Sequence, residues 1–322
     1  LAAWDEQRGL RDVMTFLRGV GISHAYAQRI FAKNGLNSIP LIKANPYQLT
    51  DIPGIGFLTA DGIARNLGFD KNSPHRAAAG LLYMLEQQAL NGHTCFPRQL
   101  LLEKTAQELD IEPEMLKSSI LQLLDDSLLY SEKIQSINAV EEELISRPRF
   151  LKAEQRVAEN IYRILNSEAY TVFEGESALI DEQERKVGLQ LDNAQRKAVE
   201  AALQHKVLII TGGPGTGKTT IVRFMLGLMR PRIPSIGLAA PTGRAAKRIT
   251  ETTGAAASTI HRLLEASNIG FQRDRENPLK QELLILDETS MIDTLLMDNF
   301  LEAVPSASRL ILVGDVDQLP SV

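Results

Sequence analysis

The chain of 322 residues holds a single cysteine, Cys95, so it can form neither an internal disulfide nor a thiolate metal cluster. That side chain is read as a small buried hydrophobe. Long apolar runs are also missing. Nothing approaches the roughly 20 residues a helix needs to cross a bilayer, and the opening Leu1-Ala2-Ala3-Trp4-Asp5-Glu6 lacks the basic and apolar regions of a secretory signal. A cytoplasmic protein with no membrane partner is the simplest expectation. There is no initiator Met, and the final apolar run, Leu310-Ile311-Leu312-Val313, is followed by nine residues, which suggests a piece of something longer. A basic excess is absent too: the net charge of −5 argues against a strongly basic nucleic-acid binder. The acidity is local, with 7 basic and 6 acidic side chains in residues 1–70, 13 and 20 in 71–190, and 15 and 14 in 191–322. Phosphate contacts in the two outer segments must therefore come from placed backbone amides and a few cations rather than from a bulk field.

What is present is ordinary globular material, 44% hydrophobic and long enough for two or three domains. From Leu191 onward, short apolar strands at 207–211, 236–240, 283–286 and 310–313 alternate with helical stretches, the pattern of a mostly parallel sheet covered on both faces. Each chemically suggestive group falls at a strand's carboxyl end, where such sheets bind ligands. The first strand runs into Gly212-Gly213-Pro214-Gly215-Thr216-Gly217-Lys218-Thr219-Thr220, a complete GxxxxGK[ST] phosphate-binding loop. Its glycines let successive N–H groups point at phosphate oxygens, and the following helix presents its positive end. Lys218 then stands between the β- and γ-phosphates of ATP, and Thr219 holds Mg²⁺. A glycine turn that binds nothing would need this order of strand, loop and helix by accident.

The third apolar strand ends in Asp287-Glu288. Beside the upstream loop this fits a metal-holding Asp287 and a water-activating Glu288; on its own it would read as an acidic helix cap. After the last strand, Gln318 is a candidate nucleotide sensor, while Asp315 and Asp317 are assigned no catalysis. Gln195, ahead of the first strand, can pair with an adenine edge, with helix capping by Asp192 as the competing reading of that stretch. Following Pro241, which opens the same DNA-binding stretch, Thr242, Arg244 and Lys247 gather donors around a helix start after the second strand, suited either to a phosphodiester backbone or to a solvated basic face. His261, with no acidic partner in view, is a poor catalyst.

At the other end, Gly19-Val20-Gly21 and Gly54-Ile55-Gly56 each precede a small-residue helix, at an apparent offset of 35 residues. Gly19, Gly21, Gly54 and Gly56 then offer backbone N–H groups to DNA phosphates without base readout, or serve only packing or protein contacts. Residues 73–135 are expected to form a helical connector with winged-helix character, and 136–190, whose acidic runs bracket a helix near Lys152–Leu165, a linker leading into the next domain.

Taken in order, Gln195, GGPGTGKT, APTGRAAKR, STIHRLL, LILDETSM and GDVDQLPSV resemble the first RecA-like domain of superfamily 1 DNA helicases of the RecD-like branch. The region before them is similar to the tandem helix-hairpin-helix (residues 1–72) and connector of the long bacterial form. The resemblance implies a multidomain chain, an α-helical N-terminal region followed by an α/β P-loop domain (191–322). It implies ATP and Mg²⁺ as cofactors, single-stranded DNA and 5′-tailed duplexes as partners, and 5′ to 3′ translocation with strand separation in recombination or repair. It further implies a second RecA-like domain supplying an arginine, without which hydrolysis is expected to be poor, and a strand-splitting pin within Ser267–Glu282. A clamp-loader-like assembly factor and a non-catalytic DNA-binding scaffold are the alternatives, the second disfavoured by the Asp287-Glu288 pair.

Overall fold

Described over residues 2–135 and 141–315, the computed structural model divides into two units, Leu1–Pro148 and Arg149–Val322. In the first, α1 (Ala2–Gly19) turns into α2 (His24–Asn34), and after α3 (Ser38–Ala44) a second turn leads into α4 (Phe57–Asn66). Each turn pivots on one glycine in the left-handed region, Gly21 and Gly54, both at φ +89°, a conformation that strains any side chain. A buried isoleucine follows each pivot, Ile22 or Ile55, and then the residue that opens the next helix, Ser23 or Gly56. The repeat is therefore offset by 33 residues, Gly21 to Gly54, and not by 35. Gly19 closes α1 instead, because only one glycine of each Gly-x-Gly string takes the left-handed conformation. The carbonyl before each pivot is held by the other hairpin's helix. Arg29 Nη1 donates to Pro53 O at 3.0 Å and Asn66 Nδ2 to Val20 O at 2.9 Å.

The chain continues through α5 (Pro74–Leu90), β1 (Cys95–Pro97), α6 (Arg98–Leu109), α7 (Pro113–Asp125), β2 (Tyr130–Gln135) and β3 (Glu141–Ser146). The antiparallel sheet has the order β1-β3-β2, which together with the three helices makes a winged-helix arrangement. β3 lies beyond the expected connector boundary at 135. Its acidic run is compensated across the sheet and from α6: Glu141 pairs with Lys133 at 3.1 Å and Glu143 with Arg98 at 2.8 Å. Cys95 is exposed, contrary to expectation, since in β1 it is Phe96 that takes the inward position of the alternating pleat.

The second unit opens with α8 (Pro148–Leu165), α9 (Glu176–Val187) and α10 (Asn193–Gln204), followed by β4 (Val207–Thr211), α11 (Lys218–Met229), β5 (Ile236–Ala240) and α12 (Gly243–Thr253). Then come β6 (Ser258–Thr259), α13 (Ile260–Leu263), a hairpin of β7 (Ala266–Ser267) and β8 (Gly270–Phe271), β9 (Leu283–Leu286), α14 (Thr294–Ala303) and β10 (Arg309–Gly314). Five strands form one wholly parallel sheet in the order β4-β10-β9-β5-β6. Every residue of β9 and β10 is buried, as expected of strands covered on both faces. Ile210, Ile285 and Val313 pack with α9–α12 on one face, and Leu284, Leu286 and Leu312 with α8, α13 and α14 on the other.

The segment expected to be a linker thus supplies two helices of this unit. On α9, Ile180 is fully buried and the acidic run is neutralised by Arg196, 2.7 Å from Asp181 and 3.3 Å from Glu184. On α8, Arg163 Nη2 donates to the carbonyls of Leu301 and Val304 at 2.9 Å each, satisfying the C-terminal end of α14. No helix among the described residues is long and apolar enough to cross a membrane.

The first unit's helical hairpins and winged helix are joined by a buried charge. Asp61 on α4, 1% exposed, accepts from Tyr47 Oη at 2.8 Å and from Arg76 Nε of α5 at 2.7 Å, and Arg65 pairs with its second oxygen at 2.5 Å. Arg76 Nη1 also donates to Lys71 O at 3.0 Å and Leu109 O at 2.8 Å, so the guanidinium ties α4, α5 and α6 together. Burial pushes the Asp61 carboxyl up, but the hydrogen bonds from Arg76, Arg65 and Tyr47 outweigh it and hold the group below the ordinary value of 3.8. Because the folded carboxyl has the lower pKa, its stabilisation is complete above that value and is lost as pH falls below it. Arg76→Ala should cost about 3–5 kcal/mol in urea denaturation at neutral pH, since it strands a buried carboxylate. The gap between wild type and variant should narrow as pH falls below about 4 and close once pH has passed the lowered pKa of wild-type Asp61, where both carry a neutral carboxyl; a gap independent of pH would assign the joint to packing instead of charge.

Candidate nucleotide and nucleic-acid site

Strand register decides which polar groups meet. Gly314 lies opposite Thr211 and Leu312 opposite Leu286, so β4, β10 and β9 end at one edge of the sheet, and the residues that follow them converge there. After β4, the loop curls through Gly215 at φ +78° and Gly217 at φ +85°, and Gly217 opens α11. Lys218 is the first residue of that helix. Its Nζ donates to Gly212 O and, at 2.9 Å, to Gly213 O, and lies 3.5 Å from Asp315 Oδ2. The ammonium thus points into the concavity formed by its own loop. Pro214, Gly215, Thr216 and Thr220 are exposed, and Gly213 and Thr219 are half-buried.

Gln195 takes part in the helix capping of its segment. Asp192 accepts from the N–H groups of Ala194 and Gln195, and Gln195 Oε1 accepts from Asp192 N at 3.2 Å, a complete capping box. Its Nε2 stands over the phosphate loop, where a Cβ on Gly217 would come within 2.7 Å of it. Only glycine at 217 permits both the turn and this approach.

At the end of β9, Asp287 Oδ1 accepts from Glu288 N at 2.9 Å. Burial pushes the Asp287 carboxyl above the usual aspartate value and the neighbouring Glu288 charge adds to this, while the Glu288 N–H and the cations Arg248 and Lys218 oppose it without cancelling it. Glu288 sits at φ +55°, a left-handed conformation rare outside glycine. Its Oε1 is 3.9 Å from Arg248 Nη1 on α12. The carboxylate pair and the lysine are therefore brought to one edge, as the motif order anticipates. Asp315, assigned no catalysis, is 1% exposed; its position directly after the buried run 310–314 is the available signal. Arg248 and its contact had no signal in the sequence. Gln318 lies outside the described residues.

Of the donors after β5, Thr242 caps α12, its Oγ1 accepting from Ala245 N at 3.2 Å. Pro241 is half-buried, and Arg244 and Lys247 are exposed, Lys247 lying 3.8 Å from Glu251 in a surface pair of little energetic weight. Gly19, Gly21, Gly54 and Gly56 belong to the first unit. There, α2 and α4 begin with no side-chain cap on their first N–H groups. His261 packs its ring 5.6 Å from that of Phe271, tying α13 to the β7–β8 hairpin, and Ile269 at the hairpin's tip is 96% exposed. No cluster of three or more His, Cys, Asp or Glu suited to a metal occurs among the described residues.

Raising a carboxyl's pKa by burial means that ionising it costs folding free energy, absent at low pH and growing as pH rises through the carboxylate range. Asp287→Asn should therefore raise the nucleotide-free thermal midpoint at pH 7 by about 2–4 °C, the shift that ~1 kcal/mol produces in a domain of this size. Scanning calorimetry of the two proteins checks this, and an unchanged or lower midpoint refutes it.

Two family models match the chain: the ATP-dependent RecD2 DNA helicase HHH domain over residues 6–95, and the AAA domain over residues 195–322. Among curated proteins, the ATP-dependent RecD2 DNA helicase of Deinococcus radiodurans is 32% identical over a 330-residue alignment that takes in 100% of this chain and 45% of the relative. The RecBCD enzyme subunit RecD of Mycobacterium tuberculosis is 37% identical over 235 residues, 65% of this chain and 36% of the relative, and that of Mycolicibacterium smegmatis 41% over 154 residues, 40% and 28%. The chain spans less than half the length of each of these relatives. The hairpin helices at one end and the phosphate loop with its paired carboxylates at the other are thus matched in the order in which they stand here, and the chain belongs to the RecD-like helicase family, with the N-terminal helix-hairpin-helix region of the RecD2 type.

Proposed function

We propose that this chain binds ATP with Mg²⁺ at the Gly213–Thr220 loop. In this reading it forms the nucleotide-binding half of a cytoplasmic DNA motor that moves 5′ to 3′ on single strands and opens 5′-tailed duplexes in recombination or repair. The observation that carries this is the convergence of Lys218, Asp287 and Glu288 at one edge of a parallel sheet, with Gln195 standing over the loop. The names of the relatives, a DNA helicase and a subunit of a recombination enzyme, favour this reading over a clamp-loader-like assembly factor.

Each residue then has a physical task. The loop's N–H groups and the Lys218 ammonium take the phosphate charge. Gln195 addresses the base. Thr219 and Asp287 offer a hydroxyl and a carboxylate, hard oxygen donors that suit Mg²⁺, which is commonly held by one or two protein groups alongside phosphates and water. That ion would neutralise charge developing on the phosphates. Glu288 orients the attacking water and takes its proton, and Gln318 senses the γ-phosphate. Pro241, Thr242, Arg244 and Lys247 hold the phosphodiester backbone of the single strand. The uncapped N–H groups that open α2 and α4, after the turns at Gly21 and at Gly54 and Gly56, suit phosphates of DNA elsewhere on the molecule; Gly19, which closes α1, lies outside them. The β7–β8 hairpin is the strand-separating pin, because the bare apolar tip at Ile269 can wedge against a terminal base pair.

Lys218→Ala in the whole protein should lower single-strand-stimulated ATPase by about 10²-fold or more, the scale of losing one strong electrostatic contact to the reacting group. Unwinding of 5′-tailed duplexes should vanish with it, and a variant that still unwinds would sink the motor reading. Ile269→Ala should leave ATPase and single-strand translocation within about twofold of wild type while lowering unwinding by about tenfold, or ~1.4 kcal/mol, within the few kcal/mol of base unstacking that an apolar wedge offsets. Translocase and strand-displacement assays run on the same preparation separate the two; equal loss in both would remove the hairpin from the role of pin.

A further inference from the structure

Arg248 stands one helical turn after Arg244 on α12, the helix that begins at the Thr242 cap. Side chains four residues apart share a helix face, so the two guanidinium groups project from the same side. Arg248 reaches back to the sheet edge, where its Nη1 lies 3.9 Å from Glu288 Oε1. The partners differ in exposure: 70% of the Arg248 side chain lies in solvent, against 20% for Glu288. The arginine is thus the mobile partner. Glu288 itself occupies a left-handed backbone conformation that persists only where its surroundings hold it, which makes the direction of its carboxylate sensitive to what it touches.

An exposed guanidinium is a good exchanger of anions. It is charged at any working pH, and it binds phosphate oxygens through paired N–H bonds at least as well as it binds a carboxylate. A phosphodiester arriving on the Arg244 face would therefore compete with Glu288 for Arg248. The strength of the existing pair fits such competition, since an exposed ion pair contributes only about 0.2–1 kcal/mol. A buried pair could not be exchanged in this way without a large desolvation cost.

From this geometry we infer that Arg248 is a positioning residue that reports DNA occupancy to the water-activating carboxylate. Without DNA, it holds Glu288 toward α12. With a phosphodiester backbone on the Arg244 and Lys247 face, the guanidinium transfers to phosphate and Glu288 turns to the attacking water. The inference rests on the roles proposed above for Glu288 and α12.

The test is steady-state ATPase of the whole protein, with and without saturating oligothymidylate, for wild type, Arg248→Ala and Arg248→Lys. Arg248→Ala should raise the DNA-independent rate about threefold, which at 1.36 kcal/mol per tenfold is about 0.6 kcal/mol and lies within the reach of an exposed pair. The DNA-saturated rate should stay within about twofold of wild type, so the stimulation ratio falls, and Arg248→Lys, which keeps the charge but not the paired N–H geometry, should restore it in part. An unchanged DNA-independent rate, or an equal fall of both rates as expected of a merely structural residue, overturns the inference. A wild type whose ATPase does not respond to DNA removes the motor reading itself, an outcome distinct from failure of the Arg248 variants.

Discussion

Burial of the parallel sheet on both faces is the constraint from which the second unit follows. Strands whose every side chain is covered leave little room for polar groups along their length: β9 is wholly apolar, and β10 carries only Arg309, at its first position, where the guanidinium donates to the carbonyls of Thr171 and His205. Polar chemistry is displaced to the ends, and register then decides which ends meet. Pairing of Gly314 with Thr211 and of Leu312 with Leu286 puts the phosphate loop, Asp315 and the Asp287-Glu288 pair side by side. A shift of one residue would exchange inward and outward side chains on a strand packed on both sides, so the site is held as firmly as the core.

That arrangement has a stability cost at the site. Asp287 is kept partly dehydrated beside another carboxylate, and Glu288 is held in a backbone region that non-glycine residues avoid. Lys218 directs its ammonium at loop carbonyls and toward Asp315. Asp287 is thereby satisfied less well than it would be in water. Functional sites commonly depart from the local optimum in this manner.

In the first unit the organising interaction is different. Small helices with short connections bury little surface, and here a charged cluster supplies what packing alone does not. Asp61 collects Tyr47, Arg65 and Arg76, and Arg76 extends the network to the carbonyls of Lys71 and Leu109. Such a network is directional, so it sets the angle between the hairpin helices and the winged helix more sharply than apolar contact would. The crossed bonds from Arg29 and Asn66 do the same for the two hairpins.

Much of this was legible in the residues. The strands at 207–211, 236–240 and 283–286 are found where the apolar runs lie; at 283–286 burial on both faces demands this, whereas β4, at the sheet's edge, leaves Ile209 64% exposed. The loop from Gly213 to Thr220 was equally plain, since its glycines and lysine are needed at fixed spacing. The hairpin offset was misjudged, because composition does not reveal which glycine of Gly19, Gly21, Gly54 and Gly56 takes a positive φ. Residues 136–190 were misread for a related reason: their acidic runs look solvated until Lys133, Arg98 and Arg196 are seen beside them.

The sequence by itself determined the four main strands from Val207 onward, the phosphate loop and the two carboxylates, since these depend on residues adjacent in the chain. Only the tertiary structure decided that Gln195 stands over Gly217, that Asp315 adjoins Lys218, that Asp61 is the buried joint and that Arg248 touches Glu288. The reason is separation along the chain. These partners are brought together by sheet register and helix packing, which local periodicity constrains but does not specify.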